Sequence, residues 1–168
     1  MMRPRRHAGF TLIEALLVAS VTAVLLTLAV PSYSEFTARH RLLAAAEGMA
    51  LDLALARSEA AQRGVPVYLL PRAGERDWCY AVSADPGCDC RAPVPNCALR
   101  VVSAGEHGGV ALPAGQPVRF DPASGRSDGG TAGQWRAGAR HAAEVRVHAA
   151  GRARVCSPSA PMPGVAAC

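Results

Sequence analysis

One acidic residue inside a long apolar run constrains this chain more than any other feature. The run extends from Leu12 to Val30, and Glu14 is its only charged residue. A lone charge within a membrane span costs roughly 2.5–3.5 kcal/mol on insertion scales, so it usually has a partner and a function. If the chain were cut after Gly9, the new amine of Phe10 would lie one helical turn before Glu14 and could neutralise its carboxylate.

The same run has the length of a membrane anchor. Its 19 residues would rise about 28 Å as an α-helix, which matches the hydrocarbon core of a bilayer. No small-residue cleavage site follows the run, and a helical pattern continues directly from it, which is not typical of a removable secretory signal. Arg3, Arg5 and Arg6 favour a cytoplasmic N-terminus. We therefore expect one transmembrane segment at residues 10–30, with everything after Val30 in the periplasm or outside the cell.

Beyond the anchor, apolar residues recur at steps of three and four. This spacing predicts an amphipathic continuation of the helix over residues 31–63, with one apolar stripe that needs cover. Gly64 is suited to end the helix, because glycine tolerates the left-handed backbone of a helix terminus and Pro66 follows it. The stripe comprises Leu42, Leu43, Ala46, Met49, Ala50, Leu53, Ala56 and Ala60. The charged residues that fall mainly off the stripe are Arg41, Glu47, Asp52, Arg57, Glu59 and Arg63.

The remaining residues, 64–168, are typical of short strands separated by turns. A long helix followed by a series of strands predicts an α+β fold, in which an antiparallel sheet covers the helix stripe and forms a β-rich head. Segments that contain glycine and proline separate the strands. The predicted strands lie at residues 65–70, 77–83, 98–102, 117–121, 144–148 and 152–157, with a weak one at 134–136.

Six cysteines lie in the predicted head, outside the cytoplasm, where disulfides form and persist. Cys156 and Cys168 could close a C-terminal loop. The other four cysteines allow three pairings, of which the one that joins the two separated by a single residue is strained. A zinc site from three of them is the alternative, and an oxidising compartment disfavours it. These four are Cys79, Cys88, Cys90 and Cys97, and the zinc alternative uses the last three.

The C-terminal quarter of the chain is basic. From Arg126 onward there are six arginines and two acids, in a chain whose net charge is +5. The whole sequence contains no lysine and is rich in alanine, glycine and proline, which indicates coding bias. Arginine content alone therefore does not distinguish an anion-binding surface from an ordinary solvated strand.

A basic hairpin lies within this region. Valines and arginines alternate along it, so that the valines face the core and the arginines face the opposite side. A three-residue loop over residues 149–151 would pair Arg146 with Arg154, and like charges directly opposite each other are unfavourable. We therefore predict that an anion meets the sheet at this pair, with Arg136 and Arg140 widening the patch.

The segment Gly9-Phe10-Thr11-Leu12-Ile13-Glu14 resembles the type III signal sequence of the type IV pilin superfamily. The resemblance implies that a prepilin peptidase removes residues 1–9 and that Phe10 becomes N-methylated. It also implies that Glu14 helps the subunit dock with other pilins or pseudopilins in a filament. Such a subunit is first a single-pass protein of the inner membrane, with its head in the periplasm.

The head is similar to the GspH/FimT family, which contains minor pilins and the minor pseudopilin of type II secretion. The similarity rests on Asp77-Trp78 before a variable loop, on Phe120-Asp121-Pro122-x-x-Gly125, and on Gly151-Arg152-x-Arg154. The last motif resembles that of DNA-binding FimT-like minor pilins. It implies that Arg152 and Arg154 contact double-stranded DNA during uptake for natural transformation. The cysteine-rich segment 79–97 departs from the family pattern.

Two functions remain open at this point. The first is a FimT-like minor pilin that binds DNA without sequence preference. The second is a structural subunit without DNA binding, either a pilus-priming minor pilin or a GspH-like pseudopilin of type II secretion. The sequence shows no nucleophile-elbow spacing and no phosphate-binding loop, so we expect no enzymatic activity, cofactor or metal. The candidate DNA-binding residues are Arg136, Arg140, Arg146, Arg152 and Arg154.

Replacing Glu14 with glutamine should block incorporation into filaments while leaving the protein in the membrane. The substitution removes the carboxylate that the Phe10 amine would neutralise, and an uncharged residue is easier to insert into lipid. Immunoblots of membrane and sheared-filament fractions measure both pools, and mass spectrometry identifies the mature N-terminus. Normal incorporation of the Glu14→Gln variant, or a mature chain that keeps residues 1–9, would contradict this interpretation.

Overall fold

The structure is a computed structural model in which the chain divides into two units, Met1–Thr37 and Ala38–Cys168. The described part of the first unit is helical, and the second unit contains the C-terminal part of the same helix followed by antiparallel strands. This confirms the predicted α+β fold. The described residues are 11–92, 97–159 and 162–168, without the side chains of residues 28, 29 and 31.

Helix α1 extends from Leu12 to Arg63. It begins directly after Thr11. The Oγ1 atom of Thr11 accepts a hydrogen bond from the Glu14 N–H at 3.3 Å, as an N-cap side chain does. It ends at Gly64, whose φ of 67° is favourable for glycine and whose N–H donates to the Ala60 carbonyl at 3.0 Å. The predicted end at residue 63 is therefore confirmed.

The N-terminal part of α1 presents an apolar surface. The described side chains from Thr11 to Phe36 are exposed. By length and composition, α1 could cross a membrane. Lipid or the apolar helices of other subunits would cover such a surface. The predicted cleavage site at Gly9 and Phe10 lies outside the described residues.

The described part of the second unit contains eight strands in two four-stranded antiparallel sheets. They are β1 (Val67–Arg72), β2 (Cys79–Ser83), β3 (Arg100–Ser103), β4 (Ala111–Ala114), β5 (Val118–Phe120), β6 (Gly130–Ala137), β7 (His141–Val147) and β8 (Ala153–Cys156). The strand order is β3-β2-β1-β5 in the first sheet and β4-β6-β7-β8 in the second. The second sheet therefore carries the basic hairpin at its edge.

The six main predicted strands are present with their ends shifted by at most three residues, and two further segments differ more from the prediction. The sequence does not predict β4, and it predicts only residues 134–136 of the eight-residue β6. Glycine, alanine and proline, which have weak strand propensity, make up much of both segments. Pairing with neighbouring strands, rather than local preference, makes them extended. The prediction of a single sheet is also wrong, because pairing between distant strands produces two separate sheets.

The apolar stripe of α1 forms the centre of the core, as predicted. Leu42, Met49 and Leu53 are at most 1% exposed and share one core cluster with residues of both sheets. Complete burial of such side chains contributes about 1.5–3 kcal/mol each, more than a typical surface ion pair. Trp78 and Trp135 meet edge-to-face in the same core, with ring centroids 4.8 Å apart. Trp135 is therefore a core residue.

Asp52 is predicted to lie off the apolar stripe among the surface charges, but the structure buries it. It is only 5% exposed. Its carboxylate accepts a hydrogen bond from the Tyr80 hydroxyl at 2.8 Å and pairs with Arg100 Nε at 2.8 Å. These two contacts join α1 to β2 and β3 and stabilise a charge that would otherwise be costly to bury. Burial, followed by the negative charge of Asp52, raises the pKa of the Tyr80 hydroxyl well above its ordinary value.

Replacing Tyr80 with phenylalanine should lower the free energy of unfolding by about 1 kcal/mol at pH 7, because one buried hydrogen bond is lost. In the wild type, the unfolded state releases the Tyr80 proton above a pH of about 10, whereas the folded state keeps it. This contribution to stability is therefore present below pH 10 and lost as the pH rises further. Chemical denaturation between pH 7 and pH 11 measures both effects. If the free energy of unfolding falls equally steeply above about pH 10 in wild type and in Tyr80→Phe, the Tyr80 hydroxyl is not the source of this pH dependence.

Candidate nucleic-acid interface

Strands β7 and β8 form the basic hairpin that the sequence predicts. Arg146 pairs with Arg154 in register. The His148 N–H donates to the Arg152 carbonyl at 3.0 Å and closes a three-residue loop. The valines of β7 are buried on the core side. The predicted loop length, register and facing of the hairpin are therefore confirmed.

Gly151, the first residue of the Gly-Arg-x-Arg motif, determines the shape of this turn. Its φ is 75°, and a Cβ atom there would lie 2.2 Å from the Gly125 carbonyl oxygen. The positive φ and the lack of space for a Cβ atom both exclude any residue other than glycine at this position. The Ser127 N–H also donates to the Ala149 carbonyl at 3.1 Å. The β7–β8 turn and the segment around Gly125 therefore pack directly on each other, which fixes the backbone of the turn just before Arg152.

Arg146 has an internal partner that the sequence does not assign to it. Its Nε and Nη2 atoms both lie 2.9 Å from Glu144 Oε2. Glu144 lies on the same face of β7 as Arg146, but it is buried, and it also accepts a hydrogen bond from Gln134 Nε2 at 3.3 Å. A carboxylate two residues away on the same strand thus offsets the unfavourable pairing of Arg146 with Arg154. The anion expected at that pair is, in part, supplied by the protein itself.

Arg152 and Arg154 differ from Arg146 in this respect. Both are exposed. Within the described part of the chain, neither guanidinium group forms an ion pair or a hydrogen bond. Their charges are therefore available to an anion from outside, and the hairpin register places Arg154 directly beside the Arg146–Glu144 pair.

Arg136 and Arg140 lie at the other end of the second sheet. Arg136 is on β6, opposite Ala142, and Arg140 is in the turn just before β7. The seven residues of β7 lie between this turn and the β7–β8 turn. A strand rises about 3.3 Å per residue, so the two turns are about 20 Å apart. Both arginines are exposed, but the structure does not bring them together with Arg152. The predicted patch is two groups of arginines rather than one.

Arg57 is a basic residue at this site that the sequence does not indicate. Its helical spacing places it off the apolar stripe, among ordinary surface charges. In the structure, a Cβ atom on Gly125 would lie 2.9 Å from Arg57 Nε, and one on Gly151 would lie 3.3 Å from it. The arginine therefore covers both glycines. Only the packing of two distant turns against α1 reveals this position.

Comparison with protein families gives two matches. The larger match is to the type II transport protein GspH. It covers residues 45–154 and ends at the second arginine of the Gly-Arg-x-Arg motif. The chain belongs to the GspH family. Residues 4–30 match the prokaryotic N-terminal methylation motif. Comparison with curated proteins and with solved structures gives no match. The predicted kinship with minor pilins and pseudopilins is therefore confirmed, and neither match concerns DNA.

The methylation motif of this GspH-family chain includes Glu14. Glu14 occupies the third position of α1, from which a glutamate side chain can reach back towards the backbone of the N-cap residue, here Thr11. The motif and the apolar helix together fit a membrane-anchored pilin.

The cysteines of this GspH-family head form three disulfides: Cys79–Cys90, Cys88–Cys97 and Cys156–Cys168. The predicted C-terminal bridge is confirmed, and the structure selects one of the three pairings left open. Because all six sulfur atoms are bonded in pairs, the zinc alternative is wrong. The first two bridges hold the segment after β2 over Leu70 and Ala81, which form a small second core with Cys88.

Replacing Arg146 with glutamine should destabilise the head, whereas replacing Arg154 should not. The first change leaves the buried carboxylate of Glu144 without its cation, at a cost of about 1–3 kcal/mol. The second removes an exposed charge without a partner and should stay within about 0.5 kcal/mol of wild type. Urea denaturation at neutral pH measures both variants. Equal losses in the two variants would show that the Glu144 pair does not distinguish these arginines.

Proposed function

We propose that this GspH-family protein is a minor pilin of the FimT type, a filament subunit that binds double-stranded DNA for uptake in natural transformation. One observation carries the proposal. Arg152 and Arg154 are exposed beside a well-packed turn and have no ion-pair partner among the described residues, whereas neighbouring Arg146 is held by Glu144. The hairpin thus separates arginines that stabilise the sheet from arginines available to a ligand.

The chemistry of these two arginines suits DNA. A guanidinium group donates two parallel hydrogen bonds to a phosphate and does not lose its charge at any physiological pH. Two arginines separated by one residue lie on the same side of an extended strand, so they can meet adjacent phosphates of one DNA strand. Contacts to the backbone carry no sequence information, which is appropriate for a protein that takes up any DNA. Arg146, Arg136 and Arg140 would add weaker, outlying contacts.

The same proposal includes the location and assembly of the subunit. Residues 1–9 are removed by a prepilin peptidase, Phe10 becomes the methylated N-terminus, and Glu14 docks the subunit among other pilins. The apolar part of α1 holds the protein in the inner membrane before assembly, and the head lies in the periplasm. Support comes from the match to the methylation motif and from the three disulfides, which require an oxidising compartment.

A structural subunit without DNA binding is the second candidate. The match to the type II transport protein GspH favours it, because a pseudopilin of type II secretion needs no DNA contact. In that case the free charges of Arg152 and Arg154 would face acidic residues of a neighbouring subunit.

The DNA proposal predicts that an Arg152→Gln/Arg154→Gln variant loses affinity for duplex DNA. Each charge-assisted hydrogen bond is worth about 1.5–3 kcal/mol, so affinity at low salt should fall at least tenfold. The slope of log affinity against log salt should fall by about 1.8, because two phosphate contacts are removed. Fluorescence anisotropy with the full chain in non-ionic detergent, over a series of salt concentrations, gives both values.

The matched control is an Arg76→Gln/Arg119→Gln variant, which loses the same charge. Both control residues are exposed and lie outside the second sheet. This variant should keep most of the affinity and nearly the full salt slope. If the wild type fails to bind duplex at low salt, or if the two double variants bind equally well, the DNA proposal fails and the structural subunit becomes the better assignment.

A further inference from the structure

We propose that the cleft between α1 and the two glycine turns is a binding site for a backbone phosphate of the DNA, with Arg57 as its inner cation. The inference rests on the proposed DNA binding and extends that site from the hairpin onto the helix. The cleft has a volume of about 670 Å³. On one side it is bordered by the helix, and on the other by residues 122–125 and 151–153.

The lining of the cleft has the composition of an anion site. Its charged residues are Arg57 and Arg152, and none of the described residues that line it is acidic. Alanines of α1, namely Ala50, Ala54 and Ala61, form much of the helical wall. Small apolar walls leave room for a ligand and lower the local dielectric constant, which strengthens the attraction between a guanidinium group and an anion.

Arg57 is held in place without being neutralised. Its Nε would meet a Cβ on Gly125 at 2.9 Å and a Cβ on Gly151 at 3.3 Å, so its side chain lies where only glycines leave space. It is half-buried. No hydrogen bond or ion pair of its guanidinium group occurs within the described residues. A partly desolvated cation without a counter-charge is costly, and an anion in the cleft would offset that cost.

Two charged residues near Arg57 differ from it, because each already has a partner. Six residues further along α1, Arg63 Nε lies 2.6 Å from Glu59 Oε2. The acid in the adjacent turn, Asp121, accepts hydrogen bonds from the N–H and the hydroxyl of Ser124 at 2.9 and 2.7 Å. These donors lower the pKa of the Asp121 carboxyl. Arg57 thus lies beside groups that already have partners.

The position of the cleft favours a phosphate of DNA over an isolated anion. Arg152 belongs both to the cleft, which Arg57 also lines, and to the exposed hairpin that carries Arg154, so the cleft and the hairpin adjoin each other. A DNA strand presents a phosphate at every nucleotide and can meet all three, whereas a single carboxylate or inorganic phosphate would satisfy only the cleft. The close packing of Gly125 on Gly151 would then contribute to binding, because it places Arg57 of the helix next to the Gly-Arg-x-Arg motif.

The test measures duplex DNA binding by the full chain in detergent across a salt series. An Arg57→Gln variant should bind roughly threefold to tenfold more weakly than wild type and lose about 0.9 from the salt slope, the value of one phosphate contact. An Arg57→Lys variant should restore most of the slope because it keeps the charge. The matched control is Arg63→Gln, which removes an arginine of the same helix outside the cleft and should leave the slope nearly unchanged.

A second pair of variants tests the cleft without removing any contact. Ala54 and Ala44 are both exposed on α1, but only Ala54 borders the cleft. Ala54→Glu should weaken DNA binding several-fold by placing a negative charge beside the phosphate, and Ala44→Glu should have a smaller effect. Thermal denaturation of each variant confirms folding. This pair decides the matter if Arg57→Gln proves unstable.

The outcomes separate this inference from the function on which it rests. If the wild type binds DNA and the Arg152→Gln/Arg154→Gln variant does not, but Arg57→Gln and Ala54→Glu behave like their controls, the cleft is excluded and the hairpin alone binds DNA. If Arg57→Gln and Arg63→Gln weaken binding equally, the effect is one of net charge, and the cleft is again excluded. If the wild type binds no duplex at all, both proposals are overturned.

Discussion

Burial of one stripe of α1 against residues of both sheets is the constraint on which the head depends. Leu42, Met49 and Leu53 share a core with both sheets, and neither sheet could cover its apolar face without them. The same packing determines the environment of the polar residues beside the stripe. Asp52 is drawn into contact with Tyr80, and Arg57 is placed beneath two glycine turns. Residues that helical spacing classes together thus acquire different roles.

The basic hairpin contains both an arginine with an internal partner and arginines whose charges are exposed. Like charges face each other across β7 and β8, but Glu144 lies two residues from Arg146 and supplies the opposite charge. The sheet therefore does not need a ligand to be stable. Arg152 and Arg154 remain outside this internal pair, so a ligand can bind them without breaking contacts that stabilise the head.

The cysteine-rich segment after β2 has a structural role in the described part of the head. Two disulfides hold it over the outer side of the first sheet, where it covers Leu70 and Ala81. Ion pairs between Arg72 and Asp89 and between Arg91 and Asp77 join the segment to its surroundings, at 3.2 Å each. A short sheet with little apolar cover of its own gains a second small core in this way.

Local sequence determined the helix, its end at Gly64, the register of the hairpin and the bridge between Cys156 and Cys168. Each of these depends on neighbouring residues: periodicity of apolar side chains, a glycine at a helix terminus, alternation along a strand, or two cysteines left at one end. The apolar run that is long enough to cross a membrane, and the acid within it, also follow from the order of residues alone.

Only the tertiary structure decided the division into two sheets, the strand character of Gly130–Ala137, the pairing of the other four cysteines and the burial of Asp52. It also decided which arginines have partners. These properties depend on contacts between residues distant in sequence, which local propensity does not predict. Arg57 illustrates the reason: its surroundings are created when turns at Gly125 and Gly151 meet the helix, and a contact among three remote segments exists only after the chain has packed.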